Sequence, residues 1–492
     1  MGKEKRMLAA DFGASGGRVM AGSYDGGKIT LSQIHRFSND PVWLFDTMHW
    51  DFLRLLFELK SGIKKADQSG KVDSIGVDTW GVDFGIVDKN GRLMENPVHY
   101  RDGRTLGMAG QVEKRIPQSE LYRITGNQIM EINTVFQLYA LLQSRPDFFR
   151  GGEKLLLMPD LFNYYLSGAA CSEYTIASTT QMLDACRKEW SAEILDKLGL
   201  PGGILQPVVA PGTKLGPLDG RLCRELDISP AQVIAVAGHD TQCALAAVPA
   251  RQEDFIFVSC GTWSLFGTEL GEPDMGGQAA VFNLTNEGAF GGKISFLKNI
   301  TGLWVLQESR RWWIKEGKEY GFGALEEMAA GEGGKKSFID LDDPVFTPAG
   351  DIPGRIRDYC QKTGQRVPGT IAETVRCIDE SLALKYRKTL EEIRQCTGKE
   401  YAAIYMVGGG TQSGLLCQLV ADVCGLPVYA GPVEATVYGN LLIQLSAMGE
   451  VDGLGQMRQL VAASEEITAY EPLDRCGWDE IYQYYKKEIL KQ

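Results

Sequence analysis

Leu8-Ala9-Ala10-Asp11-Phe12-Gly13-Ala14-Ser15-Gly16-Gly17-Arg18 decides how the rest of the chain is read. The apolar run Met7–Phe12 predicts a strand that enters a glycine-rich turn, Gly13–Gly17. Arg18–Tyr24 is a second strand, Asp25-Gly26-Gly27 a second turn, and Ile29–Phe37 a third strand. Asp-Gly between alternating apolar runs is a strong hairpin signal. A dinucleotide-binding start would instead send its glycine turn directly into a helix. Glycines at such a turn allow positive φ and close approach of the backbone to a phosphate. A carboxylate at the strand end, Asp11, is suited to Mg²⁺ or its waters, because magnesium takes hard oxygen ligands and keeps several waters. The same residues also read as an ordinary hairpin turn with a buried aspartate.

Outward from this hairpin the pattern continues as α/β. A helix is expected over Phe52–Ala66, then a strand pair, Asp73–Asp78 with Phe84–Asp88, whose outer turn is Asn90-Gly91. Helix-like segments fill much of 105–200, and Gln232–Ala237 is a compact apolar strand running into Gly238-His239-Asp240-Thr241. After about residue 250 the layout restarts with a strand over Asp254–Ser259, the turn Gly261-Thr262 and a strand over Trp263–Thr268. Apolar residues Val375, Ile378, Leu382, Tyr386, Leu390 and Ile393, three or four apart, predict one long helix over 371–397 with Gly398 as its stop. The strand Ala402–Val407 then meets Gly408-Gly409-Gly410, and the Gly-, Lys- and Asp-rich segment 315–355 reads as loops. Two related α/β halves around a shared cleft follow, divided at 1–248 and 249–492.

Three further stretches could carry chemistry. Asp240 stands where a strand ends, the place at which ligands bind in α/β folds. A carboxylate there can accept the proton of an attacking hydroxyl, or it can cap the helix that follows. Cys260-Gly261-Thr262-Trp263-Ser264 is a second small turn with a hydroxyl, and the two hairpin turns together could clamp a polyphosphate. Gly408-Gly409-Gly410-Thr411-Gln412 suits close approach of backbone to a base or ribose, or simply a tight crossover. Two other templates fail. Gly333-Gly334-Lys335-Lys336-Ser337 lacks the first glycine of a Walker A loop and carries Lys336 where Ser or Thr belongs. No Gly-x-Ser-x-Gly elbow with triad partners is apparent either.

Composition narrows the classes. The 492 residues suit two large domains. Lys and Arg total 51 against 63 Asp and Glu, and a net charge of −12 argues against broad nucleic-acid binding. The 11 cysteines include no C-x-x-C pair, and only four histidines are present, so a zinc or redox motif has little support. Cys360 and Cys377 flank one short segment and could meet. The charged N-terminal residues precede an apolar stretch too short for a signal peptide. Gly2 lacks the Ser or Thr that a myristoylation motif wants at the place of Arg6. No run approaches the roughly 18–20 apolar residues of a spanning helix, and a cytoplasmic chain without a membrane partner is expected, monomeric or homodimeric.

With these elements in this order, the chain resembles the FGGY carbohydrate kinases of the actin-like ATPase superfamily over about residues 7–450. Stretches that carry the resemblance include Ile34-His35-Arg36-Phe37, Gly76–Phe84, Tyr100-Arg101-Asp102, Met158-Pro159-Asp160, Gly261–Leu265, Leu297–Ile300 with Gly302-Leu303-Trp304, and Ala430–Ala435. They match best the branch of the family that acts on L-rhamnulose. The resemblance implies two actin-like (ribonuclease H-like) domains, each a mixed β-sheet flanked by helices, with an interdomain cleft. The first would bind sugar and hold the base, and the second would bind nucleotide. It implies that Ala14, Ser15, Gly16, Gly17 and Arg18 contact ATP phosphates, with Asp11 on Mg²⁺ through water. Thr262 would reach the phosphates, and Gln307 with Gly409 or Gly410 would line the nucleotide site. Gly81, His239, Asp240, Thr241 and Asn299 would contact sugar, Asp240 as proton acceptor. Gly16 replaces a Ser found in relatives, and Gln242-Cys243 replaces Ala-Ser.

The expected reaction is transfer of the ATP γ-phosphoryl group to a small sugar, with domain closure excluding water. L-fuculose or xylulose are alternative acceptors. An actin- or Hsp70-like ATPase is the non-enzyme alternative, and it would need no carboxylate base facing a sugar.

Overall fold

The computed structural model describes residues 4–491. The residues Met1–Lys3, and with them Gly2, lie outside that range. The chain divides into two units. The first comprises residues 1–249, Glu269–Phe296 and Ala435–Ser464, and the second comprises Ala250–Thr268, Leu297–Glu434 and 465–492. The single cut expected at 248/249 therefore misses two excursions, and the packing of the helix Ala435–Met448 gives the reason for one of them.

The first unit is built on a mixed six-stranded sheet. Its strands are β1 (Lys5–Gly13), β2 (Gly16–Tyr24), β3 (Ile29–Ser38), β4 (Ser74–Thr79), β5 (Thr213–Pro217) and β6 (Gln232–Ala235), in the order β5-β6-β4-β1-β2-β3. β1, β4 and β6 run parallel, while β2, β3 and β5 are antiparallel to their neighbours. β4 lies fully inside, buried at all six positions, as a central parallel strand must be. The helix α1 (Phe52–Gln68) buries Phe52, Leu55, Leu59, Ile63 and Ala66, spaced at three and four, and Asp51 caps it by accepting from the Arg54 N–H at 3.2 Å.

The helix Ala435–Met448 packs on this sheet through polar as well as apolar groups. Gln444 Nε2 donates to the Leu8 carbonyl at 2.8 Å, and Ser74 Oγ donates to Gln444 Oε1 at 2.6 Å. Asn440 Nδ2 donates to Asp78 Oδ2 at 2.6 Å. A Cβ at Gly439 would lie 1.7 Å from the Cys243 carbonyl oxygen, so glycine alone permits this approach to the helix α2 (Asp240–Ala246).

The second unit repeats the opening layout. Six strands of its seven-stranded sheet run β9-β8-β7-β10-β11-β12, where β7 is Ile256–Cys260, β8 Trp263–Leu270, β9 Ile294–Thr301, β10 Ile404–Val407, β11 Val428–Ala430 and β12 Thr468–Tyr470. β7 and β8 form the second glycine-turn hairpin, and β7 is parallel to β10 as β1 is to β4. The helix α3 (Ile371–Thr397) matches the apolar spacing from end to end. Thr370 caps its start, and Gly398 ends it at φ 64°.

Two expectations need correction. Phe84–Val87 does not pair with the strand before it but with Lys154–Leu157, in a separate antiparallel ribbon. Asn90-Gly91 does turn the chain outward, with Gly91 at φ 77°. The segment 315–355 is not all loop, since Phe322–Ala330 is a helix that buries Leu325 and Ala329 against Trp313 and Val375. Cys360 and Cys377 do meet, as buried free thiols within hydrogen-bond reach of one another.

Candidate functional site

The first unit gathers three carboxylates at the carboxyl ends of adjacent parallel strands. Asp11 near the end of β1 is in register with Asp78 of β4, and a bridge between Thr79 and His239 places Asp240 beyond the end of β6. Arg18, opposite Asp11 on β2, donates to Asp11 Oδ2 from Nε at 3.0 Å and from a terminal nitrogen at 2.8 Å. Arg18 thus pairs with Asp11 through two of its nitrogens. Asp78 is wholly buried. Burial, with Asp11 nearby, pushes its carboxyl well above the usual range, and its Oδ1 has no hydrogen-bond partner among the described residues.

The turn between β1 and β2 is only two residues, Ala14 and Ser15, since Gly13 pairs with Gly16. None of its glycines has a left-handed φ, contrary to the reason expected for them. They answer a packing need instead: a Cβ on Gly17 would lie 2.4 Å from the Phe37 ring, and one on Gly16 would lie 3.2 Å from the Phe37 carbonyl. Buried Asn39 pins this turn by donating from Nδ2 to the Gly13 carbonyl at 2.9 Å. Sequence reasoning missed Asn39, because nothing local marks a turn-pinning asparagine on the next loop.

His239, not Asp240, is the N-cap residue of α2, and Asp240 is its first helical residue. Asp240 Oδ1 accepts from the Thr241 N–H at 2.7 Å and from Thr241 Oγ1 at 3.3 Å. Its side chain keeps 29% of its surface exposed. Burial raises its pKa to about 6, with Asp11 adding to the rise and His239 opposing it. His239 Nε2 lies 3.5 Å from Asp240 Oδ1. The backbone before them is held by Glu173, whose Oε2 accepts from the Gly238 N–H at 2.8 Å. A Cβ on Gly81 would stand 3.5 Å from both His239 Nε2 and Thr179, so the structure brings Gly81, His239, Asp240 and Thr241 together.

The loop carrying Gly81 is unusual. Val82, a β-branched residue, sits at φ 66°. Thr134 Oγ1 donates to its carbonyl at 2.6 Å, and its N–H donates to Thr179 Oγ1 at 3.2 Å. Next to it, buried Asp83 accepts from the Trp50 and Trp80 indoles at 2.6 and 3.0 Å and from Gln137 Nε2 at 2.8 Å. Burial raises its carboxyl to about 6.

The second unit holds the other expected residues. Thr262 Oγ1 donates to Gln307 Oε1 at 3.1 Å, so these two are neighbours. Gly302 has no room for a Cβ against Ser264 and Trp263, and the Leu303 and Trp304 N–H groups donate to the Gly261 and Thr262 carbonyls. Asn299 lies on β9 with its side chain partly exposed. At the triple glycine, Gly410 is buried, and a Cβ there would strike Cys260 Sγ at 2.2 Å. Gly409 is exposed and has nothing within 4 Å of its Cβ position.

Family comparison matches both halves. The FGGY family of carbohydrate kinases, N-terminal domain, fits residues 6–247, and the C-terminal domain of the same family fits residues 256–448. The chain belongs to the FGGY family of carbohydrate kinases. It is an ATP-dependent sugar kinase. Among its relatives, a rhamnulokinase of Bacteroides thetaiotaomicron is 38% identical over 98% of this chain and 99% of its own length. One of Enterococcus faecalis is 39% identical over 99% of both. Solved FGGY-like folds include a gluconate kinase from Lactobacillus acidophilus, with TM-score 0.82 at 16% identity over 99% of this chain and 97% of that one. A Plasmodium falciparum glycerol kinase with ADP has TM-score 0.81 at 13% identity, over 100% of this chain and 99% of that one.

Among the described residues no group of three or more His, Cys, Asp or Glu is arranged to hold a metal ion, and no helix is long and apolar enough to cross a membrane.

Proposed function

We propose that this FGGY kinase phosphorylates L-rhamnulose to L-rhamnulose 1-phosphate in the breakdown of L-rhamnose, with Asp240 as the base. The observation that carries the chemistry is Asp240 itself: a partly exposed carboxylate at the end of a parallel strand, its pKa raised to about 6. Such a group is largely proton-free at neutral pH yet basic enough to accept a hydroxyl proton. The sugar O–H gives its proton to Asp240, the oxygen attacks the γ-phosphorus, and the bond to the ADP oxygen breaks. The choice of L-rhamnulose rests on relatives named rhamnulokinase at 38–39% identity over nearly the full chain.

In this reading Gly81, His239, Thr241 and Asn299 contact the sugar. Ala14, Ser15, Gly16, Gly17, Arg18 and Thr262 face ATP phosphates, Arg18 also pairing with Asp11. Gln307 and Gly409 line the nucleotide, Gly409 being favoured over Gly410 because its missing Cβ leaves open space. Residues 1–248 are thus the sugar and base half, and residues 249–492 are the nucleotide half. The hard oxygens of Asp11 fit magnesium arriving as Mg·ATP, which would neutralise charge on the β- and γ-phosphates, and Asp11 would hold one of its waters. The enzyme works in the cytoplasm, where ATP is supplied, as a monomer or homodimer.

The test is ADP release from Mg·ATP across L-rhamnulose, L-fuculose, L- and D-xylulose, L-ribulose and glycerol. Preference for L-rhamnulose supports the reading, and preference for another ketose replaces the substrate while keeping the Asp240 chemistry. An Asp240→Asn enzyme that folds, binds sugar and turns over near the wild-type rate would remove Asp240 as the base.

A further inference from the structure

Glu287 lies on the strand Thr285–Gly288 of the first unit, only 4% exposed, and no motif in the sequence marks it. Its Oε2 stands 3.0 Å from His239 Nδ1, close enough for an ion pair but off the line of a good hydrogen bond. The same oxygen accepts from Gln242 Nε2 at 2.9 Å. The other face of the imidazole, Nε2, looks toward the Gly81 loop and Asp240 Oδ1. A carboxylate, an imidazole and the proposed base thus follow one another within a single buried cluster.

We infer that Glu287 is a positioning residue for sugar recognition, holding the His239 ring so that Nε2 donates to a sugar oxygen beside Asp240. This rests on the kinase reading above and adds to it. A carboxylate on one ring nitrogen fixes the proton there and sets the orientation of the other. When the ring is charged, both nitrogens donate. Burial alone would drive the proton off His239. Glu287, Asp240 and Glu173, acting in the same direction, together outweigh that effect, and the imidazole is held above its usual range. The neutral neighbours are Thr175, whose Oγ1 accepts from the His239 N–H at 3.3 Å, and Gln242. Sugar hydroxyls offer acceptor oxygens, and a donor beside an acceptor carboxylate orients one hydroxyl for deprotonation and a second for binding.

The experiment is steady-state kinetics of Glu287→Gln from pH 5.5 to 9, with each substrate varied, and direct sugar binding by tryptophan fluorescence. The expected result is a rise in KM for sugar of about tenfold or more with KM for ATP unchanged. The alkaline limb of kcat/KM for sugar should move to lower pH, because His239 without its partner loses its proton earlier. Glu287→Asp should restore most of that limb. A purely structural role would change thermal stability and both KM values alike. Glu287→Gln matching wild type in sugar KM and pH profile overturns the inference. If Glu287→Gln does not fold, Glu287→Asp and His239→Asn decide it. The inference then requires the double variant to be no worse in sugar KM than His239→Asn alone, and additive losses overturn it. A wild-type enzyme inactive on every sugar of the panel sinks the functional reading instead, and is seen before any variant is made.

Discussion

Asp11 and Asp78 stand side by side in parallel register, yet a guanidinium serves one and an amide the other. Arg18 donates to Asp11, and Asn440 donates to Asp78. Two adjacent carboxylates at a strand end resist joint ionisation, and burial with Asp11 nearby pushes the Asp78 carboxyl well above its usual range. Substitution should separate them. Asp78→Asn should fold with a loss of no more than about 2 kcal/mol and keep kcat within about tenfold. Asp11→Asn should lose on the order of 10–100-fold in activity and need more magnesium. Magnesium titrations of both variants check this, and an inactive but folded Asp78→Asn would mean that its charge is used.

The pKa of Asp240 sets an acid limb. Activity should fall about tenfold per pH unit below about 6, as the base takes up its proton. The folded-state value lies above the ordinary 3.8, so the stability linked to this group is complete below about pH 3.8 and is lost as pH rises through 6. Asp240→Asn, which cannot ionise, should therefore gain Tm relative to wild type between pH 4 and 8. Its kcat should drop on the order of 10²–10⁴-fold. Thermal melts at pH 4 and pH 8 read the sign directly.

Gly409 and Gly410 should respond to alanine in opposite ways. Gly410→Ala drives a methyl into Cys260 Sγ and should cost about 1–3 kcal/mol, and Cys260→Ala should recover part of that. Gly409→Ala has open space and should leave stability within about 0.5 kcal/mol while raising KM for ATP alone. Denaturant melts and ATP titrations distinguish the two.

Val82 is held at its left-handed φ by hydrogen bonds from both sides, and such a residue stores on the order of 1–3 kcal/mol. Thr134→Val removes the clamp on the Val82 carbonyl and should destabilise by about 1–3 kcal/mol. In that background Val82→Gly should cost less than it does alone, because the strain no longer needs holding. A double-mutant cycle by urea unfolding measures the coupling, and strict additivity would mean that Thr134 does not restrain Val82.

The parts of the fold that were readable in the sequence are those whose signals are local. The hairpin at Asp25-Gly26, the turn at Asn90-Gly91 and the helix 371–397 with its Gly398 stop depend on near neighbours and appear as expected. Phe84–Val87 found a partner about seventy residues away, at Lys154–Leu157, and no short-range pattern encodes that choice. The site divides in the same way. Asp11, Gly81, His239, Asp240 and Thr262 sit at turns and strand ends where glycines and carboxylates draw notice. Asn39, Asp83 and Glu287 act on the site through contacts remote in sequence, and only folding brings them there.

The helix Ala435–Met448 also bears on how the protein is made. Gln444 and Asn440 answer polar groups of Leu8, Ser74 and Asp78, hundreds of residues earlier in the chain. At ribosomal speeds of about 5–20 residues per second, the stretch between the first 249 residues and this helix takes on the order of ten to forty seconds to emerge. Through that interval the nascent first sheet must wait with one face uncovered. Its native closure waits for the helix Ala435–Met448, and a chaperone that shields a half-finished sheet would serve this protein most before residue 435 appears.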